Sequence, residues 1–277
     1  MKKDDLRYGN GFVLPRRVGA AASRPAAVAL SPLVRQARRV RKRMPSLPEA
    51  RGERSGRELT ADATDLVRLL VVGDSTAAGV GVASMRDALP PQLAAILAER
   101  RGCTVAWTVS ARTGANASFT ARELVPGAPF EQDISMILVG VNDALRMTPR
   151  RTWRASMDRL VDALQEHVRP GGQIVLAGLP NLGQFRTFPQ PLRAVLGWHG
   201  RALDRELRQI ATRRPAVIHV ALPPVSWPEM FAEDRFHPNA AAYRALAAHF
   251  AAALSELVAQ AVGPSQAEHR ADDHVDC

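Results

Sequence analysis

The stretch Leu66-Val67-Arg68-Leu69-Leu70-Val71-Val72, followed at once by Gly73-Asp74-Ser75-Thr76-Ala77-Ala78-Gly79, decides how the rest of the chain is read. A nearly continuous apolar run of this length suits a strand buried on both faces of a parallel sheet. Gly73 then permits a tight turn, and Ser75 stands where the next turn or helix begins. In an open parallel sheet, ligands bind in the loops at the carboxyl ends of the strands. Outward from this stretch the pattern keeps alternating. Residues 92–101 are expected to form a helix, and residues 104–110, which alternate apolar with small polar side chains, an edge strand. Residues 134–140 read as a second buried strand. Thr148 and Pro149 are expected to cap a helix whose Trp153, Met157, Leu160, Leu164 and Val168 make one apolar stripe. A strand at 173–178, a helix at about 192–213 and a fifth strand at 216–222 follow. Pro238 is expected to open a last helix with Tyr243, Leu246, Phe250, Leu254 and Leu257 on one face, ended by Gly263-Pro264. Five strands, each followed by a helix or a long loop, imply an α/β fold built as a three-layer α/β/α sandwich.

The 277 residues, 46% of them apolar, suit one sizeable α/β domain with an appendage. Charge locates the appendage. Residues 1–60 hold 15 Lys/Arg against 5 Asp/Glu, whereas residues 61–277 hold 22 of each sign, so the net +10 sits entirely at the N-terminal end. The main domain therefore has no excess charge to steer it to nucleic acid. Only Lys2, Lys3 and Lys42 are lysines, an arginine bias that reads as genome composition before function. Ser31 is expected to cap a helix, with Pro32 at its first position. Leu33, Ala37, Val40 and Met44 recur there at helical spacing, and Arg35, Arg38, Arg39, Arg41, Lys42 and Arg43 fill the other faces. Such a basic amphipathic helix suits either packing on the main domain with a solvated side or peripheral contact of residues 31–44 with an anionic membrane. Residues 49–65 read as a polar linker. The expected organisation is a basic extension at 1–60, a main domain at 61–262 and a polar tail at 263–277. Arg24 and Pro25 interrupt the one Ala-rich stretch that could serve as a secretory signal, and no apolar run reaches the roughly 20 residues of a membrane span. A cytoplasmic location, peripheral at the membrane, is the expectation. Two cysteines, Cys103 and Cys277, give neither a disulfide framework nor a metal-ligand spacing.

Four blocks carry chemistry. In the first, the backbone N–H of Ser75 would point toward an oxyanion formed on its hydroxyl side; alone, such a serine is a helix cap. The second, Thr113-Gly114-Ala115-Asn116, offers a glycine whose N–H can approach a substrate atom closely, though an isolated turn glycine does as much. The third, Gly140-Val141-Asn142-Asp143, places a side-chain amide where it can donate to the same oxyanion, and asparagine also forms turns. The fourth is Asp234-Arg235-Phe236-His237-Pro238-Asn239. A spacing of three puts carboxylate and ring on one short loop, so Asp234 can hold His237 Nδ1–H while Nε2 faces the serine. The other six histidines lack this setting.

Gly-Asp-Ser after the first strand, Gly after the second, Gly-x-Asn-Asp after the third and Asp-x-x-His near the end together resemble the SGNH (GDSL-like) hydrolases over roughly residues 66–262. The resemblance implies a flavodoxin-like, five-stranded parallel sheet of order 2-1-3-4-5. It also implies Ser75 as nucleophile, His237 as general acid/base and Asp234 as its orienting partner. Ser75 N–H, Gly114 N–H and the Asn142 side chain would form the oxyanion hole. Thr76 stands where the family name has leucine, which touches the pocket wall and not the chemistry. Asp74 is expected to brace its loop or border the substrate, and Asp143 to hold its loop or join the cleft. Pro180 and Phe185, in the loop after the fourth strand, are expected to line the acyl side. Trp198 and Trp227 fit core or cleft equally. The implied activity is hydrolysis of carboxylic esters, small or lipid-like, with short or medium acyl chains and no cofactor. O-acetylated sugar or cell-envelope polymer and acyl thioesters are the rival substrates, and a membrane-surface binding protein is the rival of another class.

Overall fold

A computed structural model describes residues 24–60, 63, 65–224 and 228–262. The apolar run at 66 becomes strand β2 (Leu66–Gly73), and its alternate residues face opposite sides. Leu69 and Val71 enter one core, Leu70 and Val72 the other, and all four are fully buried. With β1 (Ser55–Glu58), β3 (Thr104–Ala111), β4 (Gln132–Leu138), β5 (Val168–Ala177) and β6 (Val217–Val220), it builds a six-stranded sheet of order β1-β3-β2-β4-β5-β6. Every neighbouring pair is parallel except β1 with β3. Without β1 the order is the expected 2-1-3-4-5.

Helices cover both faces. On one side lie α2 (Leu89–Arg101) and α7 (Ala240–Val262), through Leu89, Leu93 and Leu97 and through Tyr243, Phe250 and Leu254. On the other lie α5 (Arg150–Gln165) and α6 (Leu192–Arg213), through Trp153, Met157, Leu160 and Leu164 and through Leu203, Leu207 and Ile210. Each such buried side chain contributes on the order of 1.5–3 kcal/mol of transfer free energy. The N-terminal helix α1 (Arg24–Arg43) joins this second layer by burying Ala37 and Val40. Gln36 ties it down by donating to Gln190 O at 2.7 Å and accepting Leu192 N–H at 3.2 Å.

Five sequence expectations change. Val168, read as the last member of the α5 stripe, instead opens strand β5, because α5 ends at Gln165. The stretch read as a linker supplies β1, which pairs antiparallel with β3, so residues 104–111 form an interior strand and the sheet has six strands rather than five. Helix α1 starts at Arg24 and runs through Pro32, which is neither capped by Ser31 nor first in the helix. The turn before α5 is not a side-chain cap: Thr148 Oγ1 donates to Asp143 Oδ1 at 3.4 Å instead. Helix α7 begins after Pro238, where Asn239 Oδ1 accepts Ala242 N–H at 3.0 Å. Leu257 lies in α7 with its side chain outside the described residues, and Trp227, Gly263, Pro264 and Cys277 also fall outside them. No described helix is long and apolar enough to cross a membrane.

Candidate active site

Three parallel strands end side by side, and their loops converge. From β2 comes the turn Asp74–Val80, closed by Ala78 N–H to Asp74 O at 3.0 Å and Val80 N–H to Ser75 O at 2.9 Å. It presents Ser75 Oγ to His237 Nε2 at 2.9 Å. The imidazole is held from its other side by Asp234 Oδ2, 2.5 Å from Nδ1. Asp234 is itself fixed, because its Oδ1 accepts the N–H groups of Phe236 and His237, each at 2.9 Å. Burial pushes the Asp234 carboxyl up, but its bonds to His237 and Phe236 outweigh that and hold it below the ordinary range. The structure thus brings Ser75, His237 and Asp234 into one hydrogen-bonded line. Phe236, between the two, meets the His237 ring edge-on at 4.9 Å between centroids.

Gly114 sits in the loop after β3 with φ +81°, a left-handed conformation that favours glycine. Among the described residues, neither Ser75 N–H nor Gly114 N–H has an acceptor. Two supports hold the Gly114 loop in place. Glu49 Oε1 accepts Thr113 N–H at 2.6 Å, and Arg146 Nη2 donates to Gly114 O at 3.0 Å. Glu49 belongs to the segment read as linker. Burial raises its carboxyl, yet Thr113 and Arg54 bring it below its usual value. Asn142 lies in the single turn α4 (Val141–Leu145) after β4. Its Nδ2 is 2.9 Å from Ala115 O and 3.2 Å from Asp74 Oδ2, so the amide braces two loops beside the serine.

Asp74 is buried under the turn, where Oδ1 accepts Thr76 N–H at 3.0 Å. Burial pushes its carboxyl up to about 6, partly opposed by Thr76, His237 and Asn142. Asp143 faces away from the cavity: Oδ2 accepts Ala117 N–H at 3.1 Å and Oδ1 takes the Thr148 hydroxyl. Burial lifts it to about 6 as well. Asp143, expected either to hold its loop or to join the cleft, holds its loop and does not line the cavity.

Next to Ser75 and His237 opens a mostly apolar cavity of about 170 Å³. Leu179, Pro180, Phe185, Phe231 and Phe236 form part of its wall, Pro180 and Phe185 as expected. Phe185 meets Phe231 and Phe236 edge-on at 5.2 and 5.7 Å. Trp198 is 62% exposed and does not line the cavity. Sequence reasoning missed Arg41 and Met44, which reach the cavity wall from the end of α1, and Arg146, which props Gly114. Phe236 lay in plain view inside the Asp-x-x-His block. Among the described residues, no cluster of three or more His, Cys, Asp or Glu could hold a metal ion.

The family model described as GDSL-like Lipase/Acylhydrolase family matches residues 71–245. The chain is 33% identical over 193 residues to the GDSL-like esterase Rv1075c of Mycobacterium tuberculosis, a match covering 66% of this chain and 59% of that protein. Two solved structures share the fold. A crystal structure of TesA superposes with TM-score 0.56 at 21% identity, covering 69% of this chain and 99% of TesA. The Clostridium thermocellum family 3 carbohydrate esterase gives TM-score 0.54 at 15% identity, covering 72% of this chain and all of that one.

Proposed function

Since the chain belongs to the GDSL-like lipase/acylhydrolase family, we propose that it hydrolyses carboxylic esters of short or medium acyl chain through an acyl-enzyme on Ser75. The observation that carries this reading is the hydrogen-bonded line from Ser75 Oγ through His237 to Asp234, at 2.9 and 2.5 Å. In the first step Ser75 Oγ attacks the ester carbonyl while His237 Nε2 takes its proton. Asp234 keeps Nδ1 protonated and stabilises the imidazolium. The N–H groups of Ser75 and Gly114 stabilise the oxyanion, and Asn142 adds its amide. His237 then protonates the departing alcohol, activates a water and regenerates the serine. The acyl chain occupies the apolar cavity, whose wall of Leu179, Phe185 and Phe231 favours hydrocarbon over an O-acetylated sugar.

A serine-reactive fluorophosphonate should label the protein at one site, mapped to Ser75 by mass spectrometry. Labelling elsewhere, or none, sinks the assignment. Esters of graded acyl length, assayed beside acetylated sugars and acyl thioesters, then fix the substrate class.

A second reading, contact with an anionic membrane surface, is favoured by one observation. Helix α1 exposes Arg35, Arg38, Arg39, Arg41, Lys42 and Arg43 and also contributes Arg41 and Met44 to the cavity wall. The basic helix therefore borders the opening through which a lipid-like ester would enter.

A further inference from the structure

Thr113 and Gly114 form a partition with two different sides. One side faces the apolar cavity; the other faces an open basin of about 310 Å³ whose wall includes Arg112, Asn116, Ser118, Arg122 and Arg146. Building on the ester-hydrolase reading, we propose that this basin receives a phosphate carried by the leaving group. The substrate class is then an ester or thioester with a phosphorylated alcohol or thiol.

Three guanidinium groups line one basin, and none of its lining residues is acidic among the described residues. That contrasts with a domain whose charges balance and whose other arginines pair with carboxylates, as Arg150 does with Glu206 and Arg214 with Asp162. Arg146 is half-buried and spends one N–H on Gly114 O, leaving further donors of its five. Arg112 lies 5.3 Å above the Phe119 ring, a cation–π contact at the basin wall. Arg122 donates to Ser118 Oγ at 3.2 Å and meets Glu123 at 3.8 Å on the exposed rim. Asn116 uses its carbonyl oxygen to cap Phe119 N–H at 2.9 Å, so its amide NH₂ is a neutral donor at the same place. Forked donors of this kind match phosphate oxygens, and a phosphate monoester near −2 suits three positive charges better than a carboxylate does. Position makes the basin relevant. With the acyl chain in the apolar cavity and the oxyanion at Gly114, an alcohol extending past the partition meets the arginines. Phosphate bound to Arg146 would also act on the loop that holds the Gly114 N–H.

The test has a binding arm and a turnover arm. Calorimetric titration of glycerol 3-phosphate onto the intact protein at low salt should give millimolar or tighter binding, weakened at least ~10-fold in the Arg112→Gln/Arg122→Gln double variant, its fold checked by circular dichroism. In turnover, 1-butanoylglycerol 3-phosphate is compared with 1-butanoylglycerol, and butanoyl-coenzyme A with a neutral butanoyl thioester of N-acetylcysteamine. The pair in which the phosphorylated member gains ~10-fold or more in kcat/KM identifies the source of the phosphate, and the double variant should pull that ratio toward one. Equal kcat/KM within both pairs, a preference untouched by the double variant, or no binding of glycerol 3-phosphate overturns the proposal while leaving ester hydrolysis standing. Failure to hydrolyse any ester, p-nitrophenyl butyrate included, overturns the hydrolase reading instead, and the titration alone then decides the basin.

Discussion

Asn142 has two amide hydrogens and two acceptors already beside it, Ala115 O at 2.9 Å and Asp74 Oδ2 at 3.2 Å. In the proposed oxyanion hole the oxyanion would therefore share or displace one of these bonds, and the longer one to Asp74 is the weaker competitor. Asn142→Ala is expected to lower kcat for a p-nitrophenyl ester by roughly 10² to 10³ while the protein stays folded by circular dichroism. Ser75→Ala should abolish turnover altogether. Asp143 gives a separate test of burial. Its carboxyl is raised from 3.8 to about 6, so the folded chain holds that proton more tightly than the unfolded chain does. The sign follows: this group's contribution is most favourable below about 4 and is lost as pH rises toward and through about 6. Asparagine at 143 can accept from Ala117 N–H and donate to Thr148, so Asp143→Asn removes the pH-dependent loss and keeps the bonds. The variant's urea stability relative to the parent should grow between pH 4 and 7, by an amount on the order of 2–3 kcal/mol. A flat difference across that range would contradict the burial argument.

Strand β1 and the residues before it hold both chemical loops in place. Glu49 grips Thr113 N–H, Ala50 N–H donates to Ala78 O at 3.1 Å, and Arg54 donates to Ala111 O at 2.7 Å. Glu49→Ala is expected to reduce kcat more than it raises KM and to lower the melting midpoint by a few degrees, since a part-buried bond to a carboxylate is worth about 1–2 kcal/mol. Trp107 lies across Gly56, where an added Cβ would come within 2.7 Å of its ring. Gly56→Val should therefore lower the melting midpoint by displacing that ring. The sequence announces most elements, and the reason is visible in which ones it hides. β2, β4 and β5 are legible because Leu69 to Val72, Ile134, Met136 to Leu138 and Ile174 to Ala177 are buried and apolar. Ser55-Gly56-Arg57-Glu58 has no such demand. It is a solvated edge strand held by backbone pairing with β3, so its composition reads as a linker. Likewise Ser75, Gly114, Asn142, Asp234 and His237 could be found as residues in loops at strand ends. The engagement of the Asn142 amide and the turn of Asp143 away from the cavity depend on how separate loops register against each other, which no local pattern encodes.

For the molecule as a whole, the exposed cations of α1 adjoin the cavity, whose wall includes Arg41 and Met44. Six exposed cations on α1 stand against a domain with equal numbers of each sign. Juxtamembrane cations are worth about 1 kcal/mol each near an anionic surface and are screened within about 10 Å at 0.1 M salt. The protein is expected to co-sediment with phosphatidylglycerol-containing vesicles at low salt, to be released at high salt, and to ignore phosphatidylcholine vesicles. The Arg35→Glu/Arg38→Glu/Arg39→Glu variant should lose the binding, and persistence of binding in that variant would remove the membrane reading. The proposed catalytic pair spans the sequence: Ser75 and His237 are 162 residues apart in the chain and 2.9 Å apart in space. A nascent chain emerging from the ribosome would carry the nucleophile long before its base. Reactivity would then arise in one late event, when the last loop docks before α7 and the loop-closure entropy has been met. Fluorophosphonate labelling would thereby count finished molecules, and a chain stopped ahead of residue 234 would be a protein with a serine but without a nucleophile.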